Sequence, residues 1–297
     1  MIGSNLVEHP SAAQYQLLTP NSKALNLLSE NAVLTYMQTY QPDLVIHCAG
    51  TVGGIQANIA APVKFFSDNM RMSLNVISSA KETGVKRLLN LGSSCMYPRA
   101  AVNPLKEDMI LTGELEPTNE GYALAKIAAA RLCDYITQEQ PELSYKTLIP
   151  CNLYGRHDKF GVNNSHMIPA VIAKISDARD HQAPIVEIWG DGKARREFMY
   201  AGDLADFIYF AIDQIDSLPR VVNVGLGQDY TINEYYQTIA GVLGYEGGFV
   251  HDLTKPVGMQ QKLVDTTRLH TLGWAPRTSL TEGIKHTYQF YMDGKNG

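Results

Sequence analysis

The sequence predicts an α/β protein built around a parallel, doubly wound sheet. Short apolar runs of strand length alternate with longer segments of helical periodicity. Glycine-rich or polar segments follow directly after three of the apolar runs, and ligands of such folds bind at the carboxyl ends of the strands. Beyond Gly155 the loops become longer. We therefore expect a functional site at one edge of the sheet and a smaller α+β lobe beside it.

The predicted elements have recognisable boundaries. Helices are expected where the apolar spacing is helical and a cap or a glycine marks an end, and strands where apolar residues run on without a break. The strands are predicted at 15–19, 44–49, 87–91 and 145–150, and the helices at 31–40 with Ser29 as cap, 62–83, 120–138 and 203–215.

Length and composition restrict the class of protein. The chain has 297 residues and 45% hydrophobic content, enough for one large core and a smaller lobe. A formal net charge of -5 and the lack of any Lys/Arg-rich run argue against a nucleic-acid surface. No apolar stretch approaches the roughly 20 residues that span a bilayer, and the N-terminus does not resemble a signal peptide. We expect a cytoplasmic protein without nucleic-acid or membrane partners.

The four cysteines are far apart in the sequence and no paired-histidine spacing accompanies them. Structural zinc sites and disulfide frameworks have closer, regular spacings. No metal site is therefore predicted, and the cysteines are expected to be reduced thiols.

The most informative motif combines Ser93 with a Tyr122-Ala-Leu-Ala-Lys126 run on a predicted helix. A Tyr and a Lys four residues apart share one helix face, so the ammonium is expected beside the phenol, where it stabilises the phenolate. Ser93 follows a predicted strand and can bond the substrate oxygen that the tyrosine protonates. This set polarises a carbonyl for hydride transfer. The spacing alone also fits a packed Tyr and a solvated Lys, but the order of strands and helices favours catalysis.

This arrangement resembles the extended short-chain dehydrogenase/reductase superfamily, which implies a Rossmann-like, dinucleotide-binding sheet. The opening Met1-Ile2-Gly3-Ser4-Asn5 is similar to the last glycine of the superfamily's phosphate-binding turn and the helix after it. We therefore expect that the first strand is missing, that the chain is N-terminally truncated and that cofactor binding is impaired. The alternative is that Met1 begins an ordinary helix.

The segment after the strand predicted at 15–19 bears on the choice of cofactor. Its residues Ser22 and Lys23 have no acidic neighbour that would hold a ribose 2'-hydroxyl. The absence favours NADP(H) over NAD, with both residues as candidates for the 2'-phosphate, although a surface turn has the same composition.

Longer stretches narrow the resemblance to the GDP-L-fucose synthase family, and they extend over nearly the whole chain. They are Gly92-Ser93-Ser94-Cys95-Met96-Tyr97-Pro98, Leu115-Glu116-Pro117-Thr118-Asn119-Glu120, Asn152-Leu153-Tyr154-Gly155 with His157-Asp158, Asn164-Ser165-His166, Arg196-Glu197-Phe198, Lys262-Leu263-Val264-Asp265 and Leu272-Gly273-Trp274. The resemblance implies NADPH-dependent 3,5-epimerisation and 4-reduction of GDP-4-keto-6-deoxy-D-mannose to GDP-L-fucose by a homodimer paired through the 62–83 and 120–138 helices.

The resemblance also implies a role for each matching residue. A C4 ketone acidifies the neighbouring C–H bonds, and Cys95 and His166 would be the base and the acid that invert C3 and C5. Ser93, Tyr122 and Lys126 would reduce C4. The implied cofactor residues are Gly3, Ser22, Lys23, Gly50, Ser93, Lys126, Asn152 and His166, and the implied GDP-sugar residues are Lys174, Trp189, Arg196 and Lys262.

Two alternatives remain at this point. A GDP-L-colitose synthase performs related chemistry on a substrate without the 3-hydroxyl, and no residue separates the two. A non-catalytic dinucleotide-binding protein is favoured by the missing turn and disfavoured by the complete Ser93, Tyr122 and Lys126 set. In either case we expect a dinucleotide domain over 1–162 and 198–217 and a GDP-sugar lobe over 163–197 and 218–297.

Overall fold

The computed structural model describes residues 1–161, 165–255 and 258–296. None of the helices in these ranges is both long enough and apolar enough to cross a membrane. The helices are α1 Ile2–Glu8, α2 Glu30–Tyr40, α3 Ile55–Ala60, α4 Pro62–Glu82, α5 Glu120–Glu139, α6 Met167–Asp180, α7 Ala201–Asp213, α8 Ile232–Leu243, α9 Thr267–Thr271 and α10 Leu280–Asn296. The strands are β1 Leu44–His47, β2 Arg87–Leu91, β3 Ser144–Pro150, β4 Asn152–Tyr154, β5 Ile185–Trp189, β6 Arg195–Arg196, β7 Phe198–Tyr200, β8 Val221–Val224, β9 Tyr230–Thr231, β10 Gly248–Asp252 and β11 Gln261–Lys262.

The main sheet has the strand order β1-β2-β3-β8, and every pairing in it is parallel. Successive side chains of β2 point to opposite faces: Leu88 packs with residues of α2, α4 and α5, whereas Leu89 packs with residues of α1 and α7. Helices therefore cover both faces of a parallel sheet. The predicted doubly wound, Rossmann-like architecture is confirmed.

A second hydrophobic cluster joins α6, α8 and α10, with Ile172, Tyr235 and Ile284 fully buried in it. Small sheets surround this cluster: β10 with β5, β11 with β6 and β9, and β4 with β7. Helices α6, α8 and α10 with strands β5, β6, β9, β10 and β11 form the smaller α+β lobe.

One part of the expected domain division is wrong. Strand β8 lies in the segment 218–297 that was assigned to the smaller lobe, yet it pairs with β3 from Thr147↔Val221 to Pro150↔Val224. The sequence signal is weak because Val221–Val224 is a four-residue run that Asn223 interrupts, and such a run fits either lobe. The rest of the division stays a prediction.

Two local expectations can be compared with the backbone directly. The prediction of a strand at 15–19 is wrong, because this segment is a loop. Its first residue, Tyr15, donates to Asp213 Oδ1 at 3.4 Å. An extended segment becomes a strand only beside a partner that completes its hydrogen bonds. The cap of α2 is confirmed, since Ser29 Oγ accepts from the Ala32 amide at 3.4 Å.

Candidate active site

The loop after β1 is held against α4 at the carboxyl edge of the sheet. Asn69 of α4 accepts from the Thr51 amide and donates to the Thr51 carbonyl, both at 3.0 Å. A Cβ at Gly50 would lie 3.1 Å from Asn69 Oδ1 and 4.0 Å from Lys126 Nζ. Glycine therefore keeps open the space in front of the lysine.

Lys126 reaches this edge from α5. Its side chain is 4% exposed, and Nζ donates to the Leu91 carbonyl at the end of β2 at 2.8 Å. Burial lowers the pKa of the Lys126 ammonium to about 8, and the charge of Cys48 opposes this shift. The group is still largely protonated at neutral pH, so a cation lies at the end of β2.

Tyr122 lies one helical turn before Lys126. The ammonium is 5.9 Å from the centroid of the tyrosine ring. Burial, and then the charge of Cys95, raise the pKa of the Tyr122 phenol, while its hydrogen bond with Ser93 lowers it. The ammonium lies beside the Tyr122 ring as expected, although it donates to Leu91 and burial dominates the pKa of the phenol. Tyr122 is a neutral phenol and therefore a proton donor.

Cys95 lies in a short 3-10 turn, Ser94–Met96, that begins at Ser93. The Ser93 hydroxyl accepts from the Cys95 amide at 3.3 Å. The sulfur is approached by two donors: Asn119 Nδ2 at 3.3 Å and Lys262 Nζ at 3.6 Å. Ser93, Cys95 and Tyr122 thus form one cluster. Asn119 adjoins it through its bond to Cys95, a contact that the sequence did not predict. Its position just before α5 was the available signal.

His166 lies at the N-terminal boundary of α6. A Cβ at Gly54, in the loop after β1, would lie 3.7 Å from the carbonyl of Ser165, so the two segments pack together. The imidazole lies near Asp158, where burial raises the carboxyl pKa and the charge of His166 opposes the shift. Asn164 of the same motif falls outside the described residues. His166 and Cys95 therefore belong to different elements, α6 and the turn after β2.

The four predicted GDP-sugar residues fall into two pairs. Arg196 and Lys262 are register partners in β6 and β11. Lys174 Nζ donates to the Glu187 carbonyl, and Trp189 Nε1 donates to the Glu187 carboxylate at 3.1 Å. The Lys262 ammonium is 3.6 Å from Cys95 Sγ, and its role at the diphosphate stays a prediction.

Burial acts in the same direction on one cation of each pair. Burial lowers the pKa of the Arg196 guanidinium, an effect that the charge of Glu116 opposes. Burial likewise lowers the pKa of Lys174, and Glu187 opposes it. Trp189 is half exposed, with the ammonium of Lys255 at 5.6 Å from the centroid of its ring. Lys255 is a cation at this surface that the sequence reasoning missed.

The remaining predicted cofactor residues have distinct surroundings. Asn152 Nδ2 donates to the Glu197 carbonyl at 2.9 Å and so ties β4 to the segment between β6 and β7. A Cβ at Gly3 would lie 3.6 Å from Cys48 Sγ, just after β1. Ser22 and Lys23 are exposed in a turn in which Asn21 Oδ1 accepts from the Lys23 amide at 3.0 Å.

Among the described residues, no group of three or more His, Cys, Asp or Glu side chains is arranged to hold a metal ion. The polar groups that meet at the sheet edge are instead a phenol, a serine hydroxyl, a thiol and two ammonium groups. This set can polarise a carbonyl and exchange protons beside it.

A doubly wound sheet with a Ser, Tyr and Lys set at its carboxyl edge defines a class of dinucleotide-dependent enzymes. Residues 1–225 match the NAD dependent epimerase/dehydratase family, and the chain belongs to that family.

The sequence relatives are more specific. The chain is 56% identical to the GDP-L-colitose synthase of Yersinia pseudotuberculosis, over 100% of this chain and 96% of the relative. It is 48% identical to the GDP-L-fucose synthase of Azorhizobium caulinodans, over 99% of this chain and 94% of the relative. The resemblance to the GDP-L-fucose synthase family is therefore confirmed.

Solved structures with the same fold come from Campylobacter jejuni. A GDP-6-OMe-4-keto-L-xylo-heptose reductase superposes with a TM-score of 0.91 and 29% identity, over 99% of this chain and 95% of that chain. A GDP-mannoheptose C4 reductase with NADP bound superposes with a TM-score of 0.89 and 30% identity, over 98% of this chain and 95% of that chain.

Proposed function

We propose that this protein is an NADPH-dependent epimerase and reductase that converts GDP-4-keto-6-deoxy-D-mannose to GDP-L-fucose. The observation that carries the proposal is the cluster of Ser93, Cys95 and Tyr122, in which a neutral phenol and a thiol share one site. The printed names of the relatives, GDP-L-colitose synthase and GDP-L-fucose synthase, support a GDP-sugar substrate.

The residues at the sheet edge fit a dinucleotide. Gly50 is a position where a Cβ would fill the space beside Asn69 and Lys126, and Lys126 offers a buried ammonium there. Gly3, Ser22, Lys23, Gly50, Ser93, Lys126, Asn152 and His166 are the residues proposed to hold NADP(H). When bound, the cofactor supplies the hydride that reduces C4. The NADP-bound GDP-mannoheptose C4 reductase supports this choice of cofactor.

In the reduction, Tyr122 donates its proton to the C4 oxygen. Burial keeps the phenol protonated, and the Ser93 hydroxyl shares the hydrogen bond that orients it. Lys126 is fixed by Leu91 and supplies positive charge as the C4 oxygen becomes negative. A preorganised donor and a nearby cation stabilise that charge without rearrangement of solvent.

In the epimerisation, Cys95 removes the proton from C3 or C5 and His166 returns one to the opposite face of the ring. The C–H bonds are acidic because the C4 oxygen, held by Ser93 and Tyr122, accepts the electron pair as an enolate. The Lys262 ammonium, 3.6 Å from the sulfur, stabilises the thiolate that this step requires.

The nucleotide half is proposed to bind at the smaller lobe. Arg196 is the main candidate for the diphosphate, because its guanidinium can bond phosphate oxygens in pairs. Trp189 offers a half-exposed ring for the base or a sugar. Lys174 would contribute positive charge from α6, and Lys262, the register partner of Arg196, would contribute a further positive charge.

A GDP-L-colitose synthase is the second candidate. The 56% identity to the Yersinia pseudotuberculosis protein supports it. Both candidates use the same proton-transfer and reduction groups, so they differ only in whether the substrate carries a 3-hydroxyl.

We also propose a cytoplasmic homodimer. Helices α4 and α5 are the proposed contact, and both expose large apolar side chains, including Val63 and Phe66 on α4 and Leu124 and Tyr135 on α5. Burial of such side chains is the main stabilising contribution in a subunit interface.

The function is tested with the purified chain, NADPH and GDP-4-keto-6-deoxymannose. We expect oxidation of NADPH that depends on the sugar nucleotide, and a product inverted at C3 and C5 by nuclear magnetic resonance. GDP-mannose, which has no 4-keto group, is the matched control. Two 4-keto substrates are compared, one with the 3-hydroxyl and one without it. If neither supports oxidation of NADPH, the proposal is contradicted.

A further inference from the structure

Helix α5 begins without the side-chain cap that its sequence offers. Asn119 directly precedes its first residue, Glu120, and an asparagine at this position normally accepts a hydrogen bond from a backbone amide of the first helical turn. No such bond forms here. The Asn119 Oδ1 atom is buried and has no hydrogen-bond partner in the described part of the chain. The start of α5 therefore lacks a stabilising contact that this residue type can supply.

The side chain of Asn119 is directed at Cys95 instead. Its Nδ2 atom donates to Cys95 Sγ at 3.3 Å, and the Lys262 ammonium lies 3.6 Å from the same sulfur. An ammonium group can only donate, so the sulfur is an acceptor here and the amide presents its donor to it. Two donors at one sulfur stabilise the thiolate, which is the form that removes a proton from carbon.

The backbone on both sides of this contact is held by hydrogen bonds. Asn119 ends a short 3-10 turn, and its backbone N–H donates to the Glu116 carbonyl at 3.1 Å. On the other side, the Ser93 hydroxyl accepts from the Cys95 backbone N–H at 3.3 Å. Tyr122 follows Asn119 by three residues, so the two lie on neighbouring positions of the first turn of α5. The contact therefore links the sulfur to the same helix end that carries the phenol.

We propose that Asn119 is a positioning residue for the epimerisation, whose side-chain amide holds the Cys95 sulfur in place and stabilises it as the thiolate. The inference rests on the proposed function, in which Cys95 is the base. Asn119 acts through the sulfur and does not take part in the proton transfer itself. A side chain that served only stability would bond the backbone of α5, which this one does not. Its replacement should therefore slow one chemical step and leave the stability of the fold unchanged.

The test measures deuterium incorporation at C3 and C5 of GDP-4-keto-6-deoxymannose in heavy water, with oxidised NADP so that no reduction occurs. Asn119→Ala should slow the exchange about 10-fold to 100-fold, the range expected for loss of a hydrogen bond to a charged group, with an unchanged midpoint of urea unfolding. Asn119→Asp keeps the shape of the side chain but replaces the donor with a carboxylate oxygen, so it should slow the exchange at least as much. With NADPH, both variants should release a larger share of reduced product that is not inverted at both carbons, and this share does not depend on any inactive fraction.

Thr118→Ala is the matched control, because Thr118 lies in the same turn and its hydroxyl donates to Glu116 Oε1 at 3.3 Å rather than to the sulfur. Its exchange rate and product share should equal those of wild type. Wild-type exchange in Asn119→Asp, or slower turnover of Asn119→Ala with an unchanged product share, would overturn the positioning role and leave the proposed function intact. If wild type itself shows neither exchange nor oxidation of NADPH, the proposed function fails and the positioning role fails with it.

Discussion

At the scale of single residues, the site contains two groups to which we assign the two proposed proton transfers. The phenol of Tyr122 is buried with a raised pKa, and the thiol of Cys95 lies between the donors Asn119 and Lys262. Burial determines the environment of the Tyr122 phenol, whereas the contacts with Asn119 and Lys262 determine that of the Cys95 thiol. Reduction and epimerisation can therefore be separated by substitution.

We predict that Cys95→Ser lowers solvent deuterium incorporation at C3 and C5 by about 100-fold or more, because a general base contributes on this order. Tyr122→Phe should instead reduce NADPH oxidation by a similar factor and leave measurable deuterium exchange. Mass spectrometry of the sugar nucleotide and the absorbance of NADPH measure the two steps.

Cys133→Ala provides the control for these variants, since Cys133 is a buried core residue of α5 that is not part of the cluster. It should retain both activities. Undiminished deuterium exchange in Cys95→Ser would remove the thiol from the mechanism.

At the scale of elements, helix α8 links a local capping motif to the smaller lobe. Thr231 Oγ1 accepts from the Glu234 amide at 3.1 Å, and the Glu234 carboxylate accepts from the Thr231 amide at 2.6 Å. One residue later, the Tyr235 hydroxyl donates to the Arg196 carbonyl at 2.9 Å. The start of α8 therefore also supports the strand that carries Arg196.

Thr231→Ala should lower the free energy of unfolding by about 1 kcal/mol, because it removes the N-cap acceptor. Urea unfolding followed by circular dichroism measures the change. Thr238→Ala on the same helix is the control, as Thr238 Oγ1 only donates to the Glu234 carbonyl within the helix. A loss of equal size in both variants would argue against the capping contribution.

At the scale of the whole molecule, Glu197 connects distant parts of the chain. This fully buried carboxylate accepts from the amides of Leu226 at 2.6 Å, Gly227 at 2.9 Å and Val264 at 2.9 Å. The first two follow β8 of the main sheet, and Val264 follows β11. Burial raises the pKa of Glu197 to about 7, although the three amide hydrogen bonds oppose the shift.

This raised pKa predicts a pH-dependent stability. Because the folded-state pKa exceeds the ordinary value of 4.5, the folded chain holds a proton that the unfolded chain releases. The stabilising contribution is complete below pH 4.5 and is lost as the pH rises through about 7. It amounts to at most about 3 kcal/mol, since one pKa unit corresponds to about 1.4 kcal/mol.

We therefore expect the unfolding free energy of wild type to decline relative to Glu197→Gln between pH 5 and pH 8. Urea unfolding at several pH values provides the comparison, and the exposed Glu142→Gln variant is the matched control. Parallel pH profiles for wild type and Glu197→Gln would contradict the raised pKa.

Most of the main sheet and its helices could be predicted because their signals are local. The strand at 87–91 and the cap at Ser29 depend on apolar runs and on a side chain that bonds an amide three residues away. The errors arose where a distant partner decides. Segment 15–19 has strand composition without a paired strand, and β8 lies in the main sheet only through its pairing with β3.

The sequence by itself determined the fold class and the family resemblance, because spacing along strands and helices carries that information, and the same spacing predicted Ser93, Tyr122 and Lys126 as a carbonyl-reducing set to which the resemblance added Cys95. Only the tertiary structure decided which groups touch. It brought Lys262 to the Cys95 sulfur across 167 residues and left Asn119 with an unpartnered oxygen in the described chain. Burial and long-range contacts set protonation and hydrogen bonding, and neither is encoded in local spacing.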